Sequence, residues 1–356
     1  MAHKATPAPR MGQDVGTLVS AGSGIQKVKP FNRPLPRGNL AALDLGTNNC
    51  RLLIARPDGD RFVIVDAFSR IVRLGEGLSA TGRLSDAAIE RTLSALSVCA
   101  DKLRRRRVVL ARSVATEACR QAENGKAFVE RVQRETGIML DIISPREEAR
   151  LAVLGCRTLL ERGEGPALIF DIGGGSTELV LLDGDGDQMR IVDWHSAPHG
   201  VVSLAEAVAS YGDGAEERAA AYADMLARMR EAFASFAARL PRTEPVRLLG
   251  TSGTVTTLAS VYLGLPRYDR QAIDGLIVPS EAMRDIAVRL STMSIDERIA
   301  QPCIGDERAD LVVAGCAILE SILDIWPAER LGVADRGIRE GILRALTDSA
   351  SSRELG

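Results

Sequence analysis

The sequence predicts a mixed α/β protein made of two related halves, and three observations predict it. One short pattern occurs twice, over residues 41–59 and 168–186: an apolar run, an Asp, a loop of small residues, a second apolar run and an Asp-Gly. Asp44 matches Asp171, Gly46 matches Gly173, and Asp58-Gly59 matches Asp185-Gly186, all at one spacing. Strand-like runs also alternate with helix-like runs through both halves. Finally, 356 residues, 46% of them apolar, suffice for two domains with cores of their own. The expected domains are 39–150 and 151–349, with a cleft between them where the paired loops meet. Residues 1–38 are rich in Pro, Gly and Lys and have no period, so they read as a disordered basic tail.

In the first half, strands are expected at 40–46, 50–56 and 61–68, because each apolar run ends in a turn signal. Arg73-Leu74-Gly75-Glu76-Gly77-Leu78 reads as a loop. Ser85 caps a helix whose buried stripe includes Leu93, Leu96 and Leu103. The run Arg104 to Arg107 fits a solvated helix end, where the helix dipole favours cations, or alternatively a track for a polyanion. A strand at 108–111 and a loop or helix start at 116–120 follow. Next come a helix at 126–136, a strand at 140–143 and a helix opening at Ser144. In the second half the repeat begins at 166. A long alanine-rich helix spans 215–240, and a strand at 246–250 runs through Gly250-Thr251-Ser252-Gly253-Thr254 into a helix. Helices near 280–291 and 306–325, a strand near 331–334 and a helix from about Ile338 complete the chain.

Net charge is −2, and the first 38 residues carry six Lys/Arg against Asp14, so the remainder is acidic. An anionic ligand must therefore be drawn by local positive patches, and no nucleic-acid partner is expected. The six cysteines, at 50, 99, 119, 156, 303 and 316, include no Cys-x-x-Cys, and three histidines are too few for a typical zinc site. They read as small apolar residues in a reducing compartment. No apolar stretch approaches the roughly 20 residues that span a membrane, and the N-terminus lacks a signal-peptide core. A cytoplasmic protein is the expectation.

The loops carry the chemistry. Glycines let backbone N–H groups converge on an anion, since no Cβ blocks the approach. Gly173-Gly174-Gly175-Ser176-Thr177 offers such groups and two hydroxyls. Asp44 and Asp171 repel phosphate but can hold a divalent cation such as Mg²⁺ that neutralises it. No Gly-Lys-Ser/Thr follows, which excludes a Walker loop, and the return into a strand argues against a dinucleotide fingerprint. The competing reading, that Asp-x-Gly only shapes two hairpins, suits one copy better than two.

Ser144, Pro145 and Glu147 form the pattern of a capping box, which gives Glu147 the task of reaching back to the Ser144 N–H. Glu148 has no such task. It is either an ordinary first-turn acid or a carboxylate that faces the cleft and activates water. Arg120 is either a surface residue or a two-pronged phosphate ligand. The turn at 250–254 is either a third anion site or a tight strand-to-helix connection.

With these motifs in place, the chain resembles the exopolyphosphatase / guanosine pentaphosphate phosphohydrolase family of the actin-like, Hsp70-like and sugar-kinase superfamily. The resemblance runs from about residue 39 to 346. It rests on the two Asp-x-Gly loops, residues 73–78, 116–120, 143–150 and 250–254, Glu307-Arg308-Ala309-Asp310 and Gly337-Ile338-Arg339-Glu340-Gly341. It implies two ribonuclease-H-like (actin-like ATPase) domains with an interdomain active site. It also implies Mg²⁺-dependent release of terminal phosphate from polyphosphate, pppGpp or both. The family's catalytic glutamate falls on Glu148 and its phosphate-binding arginine on Arg120. Its metal and phosphate loops fall on Asp44, Gly46, Thr47, Asn48 and Asn49, and on Asp171, Gly173, Gly174, Gly175, Ser176 and Thr177. Thr47 and Asn49 replace the family's two serines, and the chain lacks the extra C-terminal helical domain of longer members. A homodimer and a place in the stringent response fit the resemblance. The rival readings are a kinase or ATPase of the same superfamily, with an adenosine pocket near 250–254, and a catalytically weak sensor of pppGpp or polyphosphate.

Overall fold

The computed structural model describes residues 38–353 except 60, 164, 185–188 and 242–246, with side chains up to 348. Residues 1–37 of the expected tail and the Asp185-Gly186 turn lie outside the described residues.

The first lobe runs β1 (Asn39–Leu45), β2 (Asn49–Asp58), β3 (Arg61–Ile71), α1 (Leu78–Thr81), α2 (Asp86–Arg105), β4 (Val108–Ala115), α3 (Glu117–Gln121), α4 (Gly125–Thr136) and β5 (Leu140–Ile142). Then α5 (Pro145–Cys156) leads to β6 (Ala167–Ile172), β7 (Thr177–Asp183), β8 (Arg190–Ala197), α6 (Val201–Ala207) and α7 (Ala215–Ala237). β9 (Arg247–Thr251), α8 (Ser252–Tyr262), α9 (Arg270–Ile273), β10 (Ile277–Pro279), α10 (Ser280–Thr292) and α11 (Ile295–Ile299) follow. The last elements are α12 (Val312–Ile325), β11 (Arg330–Ala334) and α13 (Ile338–Arg353).

The sheets repeat one topology. The first has strand order β3-β2-β1-β4-β5 and the second β10-β11-β9-β6-β7-β8. In each, an antiparallel three-strand meander (β1–β3, β6–β8) is extended by parallel strands beside its first member. This is the duplicated α/β architecture the repeat predicts.

Helices cover both faces of each sheet. α2 and α4 pack Leu93, Leu96, Phe128 and Val132 on the outer face of the first sheet. The second sheet's outer face meets α7, α8, α10 and α12 through Met229, Phe233, Leu258, Leu290 and Ile318. Between the sheets lie α5 and α13. α5 turns Leu151 and Ala152 to the first sheet and Ala149, Val153 and Cys156 to the second. α13 lies within the span 151–349 expected for the second domain, yet it packs Ile338, Ile342 and Leu343 against Leu40, Ala42 and Leu53 of the first sheet. The two helices approach so closely that a Cβ at Gly155 would collide with the Gly337 carbonyl, and one at Gly341 with the Leu151 carbonyl. No described helix is long and apolar enough to cross a membrane.

Several local expectations need correction. α12 starts at Val312, not 306: residues 306–311 form turns, in which Arg308 bonds the buried Thr257 and Asp310 bonds Arg73. The four-arginine run, by contrast, is the solvated helix end that the dipole argument favoured: it closes α2, with the exposed Arg104 and Arg106 bonded to Asp101 and Asp66. β8 and α6 lie in a stretch without a strong period and were not foreseen. The Ser144 hydroxyl accepts from the Glu147 N–H at 3.2 Å, but Glu147 does not reciprocate. Its carboxylate is held by Arg150 at 2.7 Å and Arg112 at 2.9 Å, stronger charge-assisted partners than one amide.

Candidate active site

The paired loops are equivalent turns. Gly46 N–H donates to the Asn49 carbonyl at 2.9 Å, and Gly173 N–H donates to the Ser176 carbonyl at 3.0 Å. Across the hairpins Asp44 pairs in register with Arg51, and Asp171 with Glu178. The tips touch: a Cβ on Gly174 would lie 3.0 Å from the Asn48 nitrogen, and one on Gly175 would lie 2.5 Å from Thr47 Oγ1. Only glycine permits that approach.

One cleft takes in both tips. Asp44, Gly46, Thr47, Asn48, Asn49, Asp171, Gly173, Gly174, Gly175 and Ser176 line it, with Arg51, Glu117, Glu148, Glu178, Ser252 and the loop from Asp335 to Arg339. Two expected residues stand elsewhere. Thr177 lies beneath the turn, its hydroxyl donating to the His199 carbonyl at 2.8 Å. Arg120 lies behind the cleft wall, where its guanidinium meets Glu117, the Ile143 carbonyl and Glu148.

Glu148, on the first turn of α5, is only 6% exposed. Its Oε2 accepts from Arg120 Nη1 and Nη2, each at 3.2 Å. Burial and then the Glu178 charge push its carboxyl well above the usual range. Arg120 opposes that shift, and Asp44 and Asp171 add to it. Glu178 is raised to about 8, by burial and Asp171, although Ser176 and Ser196 hydroxyls bond it. Asp171 is raised to about 6, by burial and Asp44, against Arg51 and a hydrogen bond from Ser252. Ser252 itself sits at φ +85°, a left-handed conformation that costs a non-glycine residue energy and clusters at functional sites.

Three buried polar atoms at the tips, Asp44 Oδ1, Thr47 Oγ1 and Asn48 Oδ1, have no hydrogen-bond partner. Arg51 and Arg339 line the cleft, and their guanidinium groups make no hydrogen bond or ion pair among the described residues. Burial pulls the Arg339 guanidinium down, and the acids beside it oppose this. The cleft thus combines a cluster of acids with two cations open to a ligand. Arg51, Glu178 and Arg339 were missed in the sequence. Registering the two hairpins would have found the first pair, since both lie seven residues after the paired aspartates. Among the described residues, no group of three or more His, Cys, Asp or Glu side chains forms a self-contained metal site.

Beyond Arg51 the cleft continues into a pocket walled by Ile71, Ile172, Val201, Leu311 and Val312, with Ser252, Gly253, Thr254, Thr257 and Arg308 on its polar side. The turn at 250–254 is therefore both a tight connection from β9 to α8 and part of the ligand-accessible wall.

Two topologically matched lobes with their hairpin tips meeting over an acidic cleft define the actin-like two-lobed fold class. The comparisons with known proteins narrow this. The family model described as "Ppx/GppA phosphatase family" matches residues 53–350. The chain is 32% identical over 321 residues to exopolyphosphatase 2 of Mycobacterium tuberculosis, covering 86% of this chain and 98% of that one. It is 29% identical to the guanosine-5'-triphosphate,3'-diphosphate pyrophosphatase of Aeromonas hydrophila, over 86% of this chain but 59% of that longer protein. The crystal structure of the Aquifex aeolicus Ppx/GppA family member superposes with a TM-score of 0.71 at 29% identity, over 89% of this chain and 99% of that one. The chain belongs to the Ppx/GppA phosphatase family.

Proposed function

We propose that this hydrolase releases the terminal orthophosphate from a chain of phosphoanhydrides, either inorganic polyphosphate or guanosine pentaphosphate. The observation that carries the reading is Glu148: a buried carboxylate with a raised pKa, oriented by Arg120 and opening on a cleft made by two glycine-bearing turns. A carboxylate whose pKa is raised holds a proton more strongly, which makes it a better acceptor for a proton from water. In the proposed step Glu148 accepts that proton as the water oxygen attacks the terminal phosphorus. The bond to the bridging oxygen breaks, and the shortened chain leaves with the electron pair. The N–H groups of residues 174–176 and of Thr47 and Asn48 cradle the non-bridging oxygens. Arg51 and Arg339 supply the cationic contacts first expected of Arg120, whose guanidinium serves Glu148 instead.

Asp44 and Asp171 would hold Mg²⁺. The donor set fits: Asp44 Oδ1 is a buried acceptor with no partner, and the Asp44 charge raises the proton affinity of Asp171 within one cleft. When bound, the cation neutralises the anhydride oxygens. The apolar pocket beyond Arg51 favours a substrate that carries an uncharged group next to its phosphates, which a nucleotide has and polyphosphate lacks.

The test is phosphate release from polyphosphate, pppGpp and ATP in parallel, with Mg²⁺, for the wild type and Glu148→Gln. Release from polyphosphate or pppGpp that vanishes in the variant supports the reading. Binding of either compound without release moves the protein to the sensor class, and turnover of ATP alone moves it to the kinases and ATPases.

A further inference from the structure

Residues 72–77 line no part of the cleft, yet they are tied to both turns. On one side their backbone grips the first turn. Val72 and Arg73 N–H groups donate to the Asn48 carbonyl at 2.8 and 3.0 Å, and Gly75 N–H donates to the Thr47 carbonyl at 2.9 Å. On the other side they reach the second lobe. Arg73 meets Asp310 with two prongs, Nη1 to Oδ2 at 2.8 Å and Nη2 to Oδ1 at 3.3 Å, while Gly77 N–H donates to Glu206 Oε1 at 2.8 Å. Glu206 sits on α6, and the start of α6 grips the second turn: Val201 and Val202 N–H groups donate to the Gly173 and Gly174 carbonyls at 3.0 and 2.8 Å. The circuit is closed, running from one turn through residues 72–77, Glu206 and α6 to the other turn. Arg91 braces it, with Nε to the Val72 carbonyl at 3.1 Å and Nη2 to Glu76 at 2.6 Å. Arg73 itself adopts φ +46°, a conformation that an arginine keeps only when its surroundings hold it.

We infer that Arg73 and Glu206 are positioning residues that set the separation of the two turns, and so the fit of a phosphate chain between them. This rests on the reading of those turns as phosphate sites. The Arg73–Asp310 pair is partly exposed, 34% and 41%, so solvent and salt screen it and its value to overall stability is small. Its two-pronged geometry, in contrast, fixes orientation as well as distance. A role in bulk stability and a role in spacing therefore separate experimentally.

The probe is inorganic tripolyphosphate with Mg²⁺, followed by calorimetric binding, by phosphate release and by melting temperature. Arg73→Glu is expected to raise Kd and KM about tenfold, the scale of one charge-assisted hydrogen bond, with kcat changed far less. The double swap Arg73→Glu with Asp310→Arg should recover most of that loss. Arg73→Gly accepts the positive φ freely and should keep the melting temperature while showing the same rise. Glu206→Ala should act in the same direction. Wild-type Kd in folded Arg73→Gly and Glu206→Ala overturns the inference, as does a folded double swap that recovers nothing. If the wild type binds tripolyphosphate without cleaving it, the hydrolysis reading fails alone and binding still reports on the clasp. If it does neither, both fall.

Discussion

The two hairpins share a backbone and differ in charge. The first places Asp44 opposite Arg51 around a tip with a single glycine; the second places Asp171 opposite Glu178 around three. The hydrogen bond that closes each tip joins equivalent residues and differs by 0.1 Å. Duplication thus preserved the turn and let the position across from the aspartate diverge. The first copy brings a cation to the cleft, whereas the second brings a further acid and a tip of three consecutive glycines. Glu148 opens on the same cleft, and its pKa is raised first by burial and then by the Glu178 charge of the second hairpin.

The largest expected effect removes that meeting point. Glu148→Gln should lower kcat by about 10²–10⁴, the contribution of a positioned base, while Kd for substrate stays near wild type in a binding assay. An unchanged kcat would leave the base elsewhere. Next come the diverged positions. Arg51→Gln should raise KM about 10- to 100-fold through loss of charge-assisted contacts, and Glu178→Gln should lower KM or leave it unchanged. Steady-state kinetics on both variants would break the comparison if the two moved together. The tips themselves should respond unequally. Gly175→Ala overpacks against Thr47 and Glu117 and should cost about 1–3 kcal/mol, seen as a melting point lower by a few degrees. Gly46→Ala meets nothing nearer than 3.7 Å and should stay within about 0.5 kcal/mol.

The smallest effect is one of pH. Asp171 at about 6 and Glu178 at about 8 both titrate above their ordinary values. The folded protein therefore keeps protons that the unfolded chain has released. That stabilisation is complete below about pH 4 and is lost as pH climbs through 6 and then 8. Thermal melts from pH 5 to 8.5 in chelator should show the decline. Glu178→Gln should remove its upper part, and added Mg²⁺ should flatten the rest.

Much of this was legible before any coordinates. The repeat located both turns, and Asp44 and Asp171, each two residues before the glycine that closes its turn, line one cleft. Because its neighbour Glu147 already had a local task, elimination left Glu148 as either an ordinary first-turn acid or a base, and the family resemblance supplied the second reading. The particular task was mistaken: Arg112 and Arg150 outbid an amide for that carboxylate, and nothing local in sequence shows an arginine arriving from β4. Arg120 illustrates the same limit, because its partners are set by how α3 and α5 come together. Arg339 was quoted within a motif but carried no reading, since its approach to the cleft depends on α13 returning to the first lobe.

That return has a consequence for how the molecule is made. Leu40, Ala42 and Leu53 are among the earliest residues of the first sheet to leave the ribosome, but the helix that shields them begins nearly 300 residues later, at Ile338. Part of that face of the nascent lobe must wait, wet or chaperoned, until that helix has been made. A fragment halted before Ile338 should bind the apolar dye ANS and aggregate, however well its two sheets have formed.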